Sequence, residues 1–138
     1  MTKDEKYQLV EKALIAREAS YSPYSGFAVG AALLTDDGEI FTGANIESAS
    51  YSPTVCAERV AFFGAVHQGK RSFKAIAIVG GMKGNAVSDF TAPCGVCRQV
   101  MAEFADADFE IILYNGADVK TYTLAELFPA SFSKNDLK

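Results

Sequence analysis

Three cysteines and one acid hold the chemistry that this sequence offers. Cys94 and Cys97 form a C-x-x-C pair within "APCGVCRQVMAEF", and Cys56 stands in "SPTVCAERVAFF", two residues before Glu58 and three before Arg59. Cysteines three apart at a helix start lie on one side of its first turn. The free N–H groups and dipole of a helix N-terminus favour the thiolate form. Cys56 also opens a run with helical spacing, so the same argument applies to it. Three thiolates at two helix starts suit a zinc ion with three protein ligands. Structural zinc is normally closed by four ligands, whereas catalytic zinc leaves one position for water. No fourth cysteine is present, and the one histidine, His67, lies eleven residues beyond Cys56, about three helical turns at ~1.5 Å per residue. The ligand count points to catalysis.

Glu58 and Arg59 fit such a site. A water on zinc has a pKa near ~7 but needs a group to accept and return its protons, and a carboxylate beside the metal does both. Residues i and i+2 do not share a helix flank, so Cys56 and Glu58 converge only if the metal lies beyond the helix end. The expected pocket is therefore where two helix N-termini meet. Three thiolates and one Zn²⁺ sum to a charge of −1, which weakens a Lewis acid. Arg59, on the Cys56 side of its helix, is placed to donate to a thiolate and draw charge from it. A redox C-x-x-C plus one buried thiol would leave Cys56 and Glu58 without a role.

These groups must be positioned by a small set of elements. Residues 4–19 read as an amphipathic helix, with Tyr7, Val10, Ala13 or Leu14, and Arg17 at helical spacing. "FAVGAALLT" and "EIFTGAN", joined by "DDG", read as a hairpin. A second helix is expected over 54–68, with Pro53 in its first turn and Ser52 or Thr54 as N-cap. "KAIAIVGG" suits a central strand, and the helix from Pro93 is expected to set Val96, Val100 and Phe104 on one side. "FEIILY" and the strand after Asn115-Gly116 predict a second antiparallel hairpin, and "LAELF" closes with a short helix. The order α-β-β-α-β-α-β-β-α implies α/β layers around a mixed sheet.

Length and charge narrow the partners. At 138 residues the chain fits one domain, 1–138. A net charge of −4 excludes tracking of a nucleic-acid polymer, which needs clustered Lys and Arg, and favours a small, weakly charged or neutral ligand. No window approaches the length of a membrane span, and the charged N-terminus has no apolar leader core. An odd cysteine count suits a reducing cytoplasm.

Taken together, "CAE" and "PCGVC" resemble the zinc-dependent deaminase superfamily. With cysteine as first ligand, the chain resembles cytidine deaminases of the small homotetrameric type. "SPYSGFAVGAALLTDDGEIFTGANIESASYSPTVCAER", "FKAIAIVG", "PCGVCRQVMAEF" and "ELFPASF" follow in that family's order, covering nearly the whole chain. The resemblance implies a three-layer α/β/α sandwich with a five-stranded mixed sheet whose last two strands are antiparallel. It implies one Zn²⁺ per chain on Cys56, Cys94 and Cys97, and hydrolysis of cytidine and 2′-deoxycytidine at C4 with Glu58 as proton shuttle. The backbone of Ala57 and Cys94 would hold the base edge and Phe27 would pack on the base. Asn45 and Glu47 would bind ribose, and Tyr51 and Phe132 would complete pockets at or across contacts of a homotetramer. A blasticidin-type deaminase would share the zinc residues but is expected to lack "FAVG" and "NIE".

Overall fold

The computed structural model describes residues 1–137. Its elements are α1 (Lys3–Arg17), β1 (Phe27–Thr35), β2 (Ile40–Ala44), α2 (Ala57–His67), β3 (Phe73–Met82), α3 (Gly95–Phe104), β4 (Glu110–Tyr114), β5 (Val119–Thr123) and α4 (Leu124–Leu127). A single 3-10 turn, Lys134–Leu137, follows. The strands form one sheet in the order β2-β1-β3-β4-β5. Only the β3–β4 pair is parallel, and both expected hairpins are antiparallel pairs.

Strand alternation divides the core between the two faces of the sheet. Ala32, Ala75, Ala77, Val79 and Ile112 face α1 and pack on its Leu9, Val10 and Ala13. Ala31, Leu33, Ile76, Ile78 and Ile111 face the other way, onto Ala57, Ala61, Phe62 and Ala65 of α2 and Cys97 and Met101 of α3. This is the expected α/β/α sandwich. Phe62 anchors the α2 side, its ring centroid 5.1 Å from Phe73, 5.8 Å from Phe109 and 6.3 Å from Phe104. Burying such a ring contributes about 1.5–3 kcal/mol, so the middle of α2 is anchored on the sheet.

Several local expectations are corrected. The second helix begins at Ala57, not 54, and its N-cap is Cys56 rather than Ser52 or Thr54. The Thr54 hydroxyl instead accepts from the Ser48 N–H. In α3 the buried residues are Cys97 and Met101, while Val96 is 57% exposed. The helix turns its ligand-bearing face inward, one residue round from the Val96 stripe. The Asn115-Gly116 pair belongs to a four-residue connection in which the Asn115 side chain accepts from the Ala117 and Asp118 N–H groups, and Gly116 supplies the positive φ of 95°.

Two close approaches set helix positions. A Cβ on Gly30 would lie 2.1 Å from the Ala13 carbonyl oxygen of α1, and one on Gly43 would lie 2.4 Å from the Ala57 carbonyl oxygen of α2. Bare backbone at Gly43 therefore lets β2 touch the first turn of α2. A glycine inside a strand marks such an approach.

Candidate metal centre and active site

Both helices that bear the cysteines are entered through a cysteine. Cys56 is the N-cap of α2 (φ −77°, ψ 155°) and Cys94 the N-cap of α3 (φ −70°, ψ 168°), and neither side chain makes a capping hydrogen bond. An N-cap side chain normally accepts from the first turn, so these sulfurs are released for another partner. The extended backbone at Cys56 also resolves its awkward spacing from Glu58. Cys56 lies off the helix end, as convergence requires, and Glu58 occupies the second helical position.

The three sulfurs gather into one cluster. All lie within 4.8 Å of one another, and the Cys56 and Cys94 sulfurs are 3.7 Å apart. Metal–sulfur bonds of ~2.3 Å in a tetrahedron space the sulfurs ~3.8 Å apart, whereas a disulfide needs ~2.05 Å. The three cysteines are free thiols. The donor set therefore fits a tetrahedral zinc ion with one position left over.

Electrostatics favour the thiolate form at Cys56. Its thiol is drawn down to about 5, chiefly by a hydrogen bond from Cys97 and then by Arg59 and Cys94, against the opposing effect of burial. Arg59 Nη2 donates to Cys56 Sγ at 3.4 Å. Arg59 Nε is buried without a partner among the described residues, so the bond of this guanidinium to the Cys56 sulfur runs through Nη2. Cys97, donating to Cys56, is shifted upward. A divalent cation would pull all three thiols toward thiolate.

Glu58 is 4% exposed. Burial pushes its carboxyl up to about 7, and the neighbouring Cys56 charge acts in the same direction. A carboxyl that gains and loses a proton near neutrality, beside a thiolate cluster, is suited to proton transfer.

Asn45 and Glu47 flank Ile46, which pairs with the residue just before Cys56. Ile46 exchanges backbone hydrogen bonds with Val55, while Tyr21 N–H donates to Asn45 O and Glu47 N–H to Tyr21 O. Asn45 and Glu47 are thereby bound next to the segment that leads into Cys56. A cavity of about 390 Å³ is lined by Tyr24, Ser25, Glu47, Tyr51 and Thr54. The Glu47 carboxylate accepts from the Tyr24 N–H at 2.9 Å, the Ser25 N–H at 3.1 Å and the Ser25 hydroxyl. These bonds hold its carboxyl below the usual range, the Ser25 hydroxyl contributing most.

Asn45 is more committed than expected. Its amide oxygen accepts from Ser20 Oγ at 2.5 Å and Val29 N–H at 2.9 Å, and its Nδ2 donates to Phe27 O at 2.8 Å. With both oxygen lone pairs used, one amide hydrogen is what it retains for a ligand. The same bonds fix the backbone of Phe27, whose ring edge sits over Gly80 beside Thr91. Ala57 is fully buried at the start of α2. Tyr51 and Phe132 are instead 71% and 58% exposed. Tyr51 has a positive φ of 61°, and its ring meets Tyr24 edge to face at 6.2 Å.

Three supporting residues escaped the sequence reading. Gly43 carried a signal, a glycine inside a strand. Arg17 fell at core spacing, yet its role is polar. It is buried and donates to the carbonyls of Ala28, Gly81, Met82 and Asn85, tying α1 to the strand ends next to Phe27. Gln99 donates to the Phe132 carbonyl at 2.8 Å, which nothing in the local sequence announced.

Known proteins are similar to this chain in sequence and in fold. The model of the cytidine and deoxycytidylate deaminase zinc-binding region matches residues 1–113. The chain is 50% identical over 131 residues to a cytidine deaminase of Sporosarcina psychrophila, covering 94% of this chain and 93% of that one. It is 46% identical over 134 residues to a cytidine deaminase of Halalkalibacterium halodurans, covering 96% and 98%. A crystal structure of cytidine deaminase from Burkholderia pseudomallei aligns with a TM-score of 0.84 at 46% identity, covering 96% of this chain and all of that one. In sequence, in fold and in its three-cysteine cluster, this chain belongs to the cytidine and deoxycytidylate deaminase zinc-binding family.

Proposed function

We propose that this chain is a cytidine deaminase that hydrolyses cytidine and 2′-deoxycytidine to uridine and 2′-deoxyuridine plus ammonia, working as one domain in pyrimidine salvage in the cytoplasm. The observation that carries the reading is a buried carboxyl, Glu58, beside three convergent thiols at two helix starts. Cys56, Cys94 and Cys97 would hold zinc, which when bound supplies Lewis acidity and acidifies water at the site. Glu58 takes a proton from the attacking water as its oxygen bonds to C4, and passes a proton to N3 of the ring. Glu58 then takes the second proton from the C4 hydroxyl as that oxygen becomes the carbonyl and the C4–N bond breaks, and delivers it to the leaving amine, which departs as ammonia. Its upward shift suits it to both directions of transfer.

The remaining residues bind and orient. The backbone of Ala57 and of Cys94, at the starts of the two helices, would hold the base edge. Phe27, fixed through Asn45 and Ser25, packs on the base. Glu47, pinned as an ionised acceptor, and the remaining amide hydrogen of Asn45 address the ribose hydroxyls. Arg59 lowers the charge on the Cys56 sulfur through its hydrogen bond. The exposure of Tyr51 and Phe132 supports a homotetramer in which neighbouring chains complete each pocket. The acidic net charge supports a nucleoside rather than a polymer.

The test is to follow the ultraviolet absorbance of cytidine with purified protein of known zinc content, alongside Glu58→Gln. The parent is expected to destroy the cytosine chromophore with one zinc per chain. The variant is expected to keep the metal while its turnover falls about 10²–10⁴-fold. A zinc-replete parent that leaves cytidine intact would reduce the centre to a structural one.

A further inference from the structure

We infer that Arg98 is a positioning residue for the metal centre, fixing the two peptide groups on either side of Cys94 and thereby aiming its sulfur. The inference rests on the reading that the three cysteines hold zinc. Cys94 differs from the other two in what restrains it. Cys97 is packed in the core, and Cys56 is half-buried with Arg59 on its sulfur. Cys94 is exposed and makes no capping bond, so core packing does not set its direction.

The first backbone bond of α3 holds one side of Cys94, and the Arg98 side chain holds the other. The Arg98 backbone N–H donates to the Cys94 carbonyl at 3.0 Å, and its Nε donates to the Pro93 carbonyl at 2.9 Å. The Pro93 carbonyl belongs to the peptide before the Cys94 Cα and the Cys94 carbonyl to the peptide after it. Holding both planes fixes φ and ψ at Cys94, and hence the direction of its Cα–Cβ bond. Pro93 assists, because its ring locks its own φ. The guanidinium is itself anchored, since Nη1 donates to the carbonyl of Leu127, the last residue of α4, an acceptor that a helix C-terminus leaves free. Only a planar fork reaches two diverging carbonyls. A lysine ammonium is a single point charge on a flexible stem.

The experiment titrates the zinc-loaded protein with a chromogenic zinc chelator at neutral pH and compares Arg98→Ala, Arg98→Lys and Arg71→Ala. Arg71 also donates to backbone carbonyls, those of Val66 and Lys70, but at the opposite end of α2 from Cys56. Zinc affinity is expected to fall about 10–100-fold in Arg98→Ala, as for loss of other groups that orient a ligand. A fall of about tenfold is expected in Arg98→Lys, and no change in Arg71→Ala. Thermal unfolding of the metal-stripped proteins separates this role from simple support of the fold, which would shift the melting temperature without moving zinc affinity in the folded range. Parent-level affinity in Arg98→Ala overturns the inference. If that variant does not fold, parent-level affinity in Arg98→Lys does so. A parent that binds no zinc overturns the zinc reading and the inference with it, whereas a zinc-binding parent matched by the Arg98 variants overturns the inference alone.

Discussion

At the scale of single residues, the site is governed by charge. Three thiolates would over-neutralise one zinc ion, and the structure sets one guanidinium against the Cys56 sulfur at 3.4 Å. Removing that hydrogen bond returns electron density to the sulfur and makes the metal a weaker Lewis acid. Arg59→Gln is therefore expected to retain its fold and lose turnover, by about 10–100-fold. Steady-state kinetics on zinc-loaded protein, with chelator competition in parallel, checks this. Parent values of both turnover and zinc affinity would remove Arg59 from the mechanism. The convergence of Cys56, Cys94 and Cys97 was legible in the sequence, because three thiols at two helix starts with no fourth ligand have few other uses, and Glu58 and Arg59 drew meaning only from standing beside Cys56. Arg98 was not legible, because an arginine in a helix is equally a solvated residue until its acceptors are seen.

At the scale of elements, the question is how two helix starts meet over one sheet. β2 does much of this by being bare at Gly43, where a Cβ would meet the Ala57 carbonyl oxygen at 2.4 Å, the Ala61 nitrogen at 2.7 Å and Val60 Cβ at 2.9 Å. Backbone atoms of a helix cannot step aside singly, so Gly43→Ala must move the first turn of α2, and with it Cys56 and Glu58. Overpacking of this kind costs about 1–3 kcal/mol, a fall in melting temperature on the order of 5 °C. Thermal unfolding should show that fall, and kinetics should show reduced turnover. A variant with parent melting temperature and parent activity would mean that β2 does not position the helix. Element types and order were readable from periodicity. The start of α2 was not, because Pro53 and Thr54 offer good start signals that the strand-like pairing of Val55 with Ile46 overrides.

At the scale of the whole molecule, Tyr51 and Phe132 are largely exposed in one chain, which leaves both available to a neighbouring chain. If neighbours complete the pocket, Phe132→Ala should raise KM about tenfold, equivalent to the loss of about 1.4 kcal/mol of aromatic contact. Glu58→Gln should be nearly inactive. Co-expressed, the two variants should form some sites that combine Glu58 of one chain with Phe132 of the other, and activity should exceed the sum of the separate proteins. Sedimentation should show tetramers throughout. A mixture no better than its parts, or a fully active monomer, would confine the pocket to one chain. What the sequence determined by itself was the chemistry and the order of elements, because ligand type, ligand count and hydrophobic period are local properties. The tertiary structure decided where that chemistry is aimed. The buried thiol face of α3, the commitment of Asn45 to Phe27 and Ser20, and the grip of Arg98 on the peptides around Cys94 all depend on which carbonyls and side chains distant segments present. Such contacts exist only once the layers have packed.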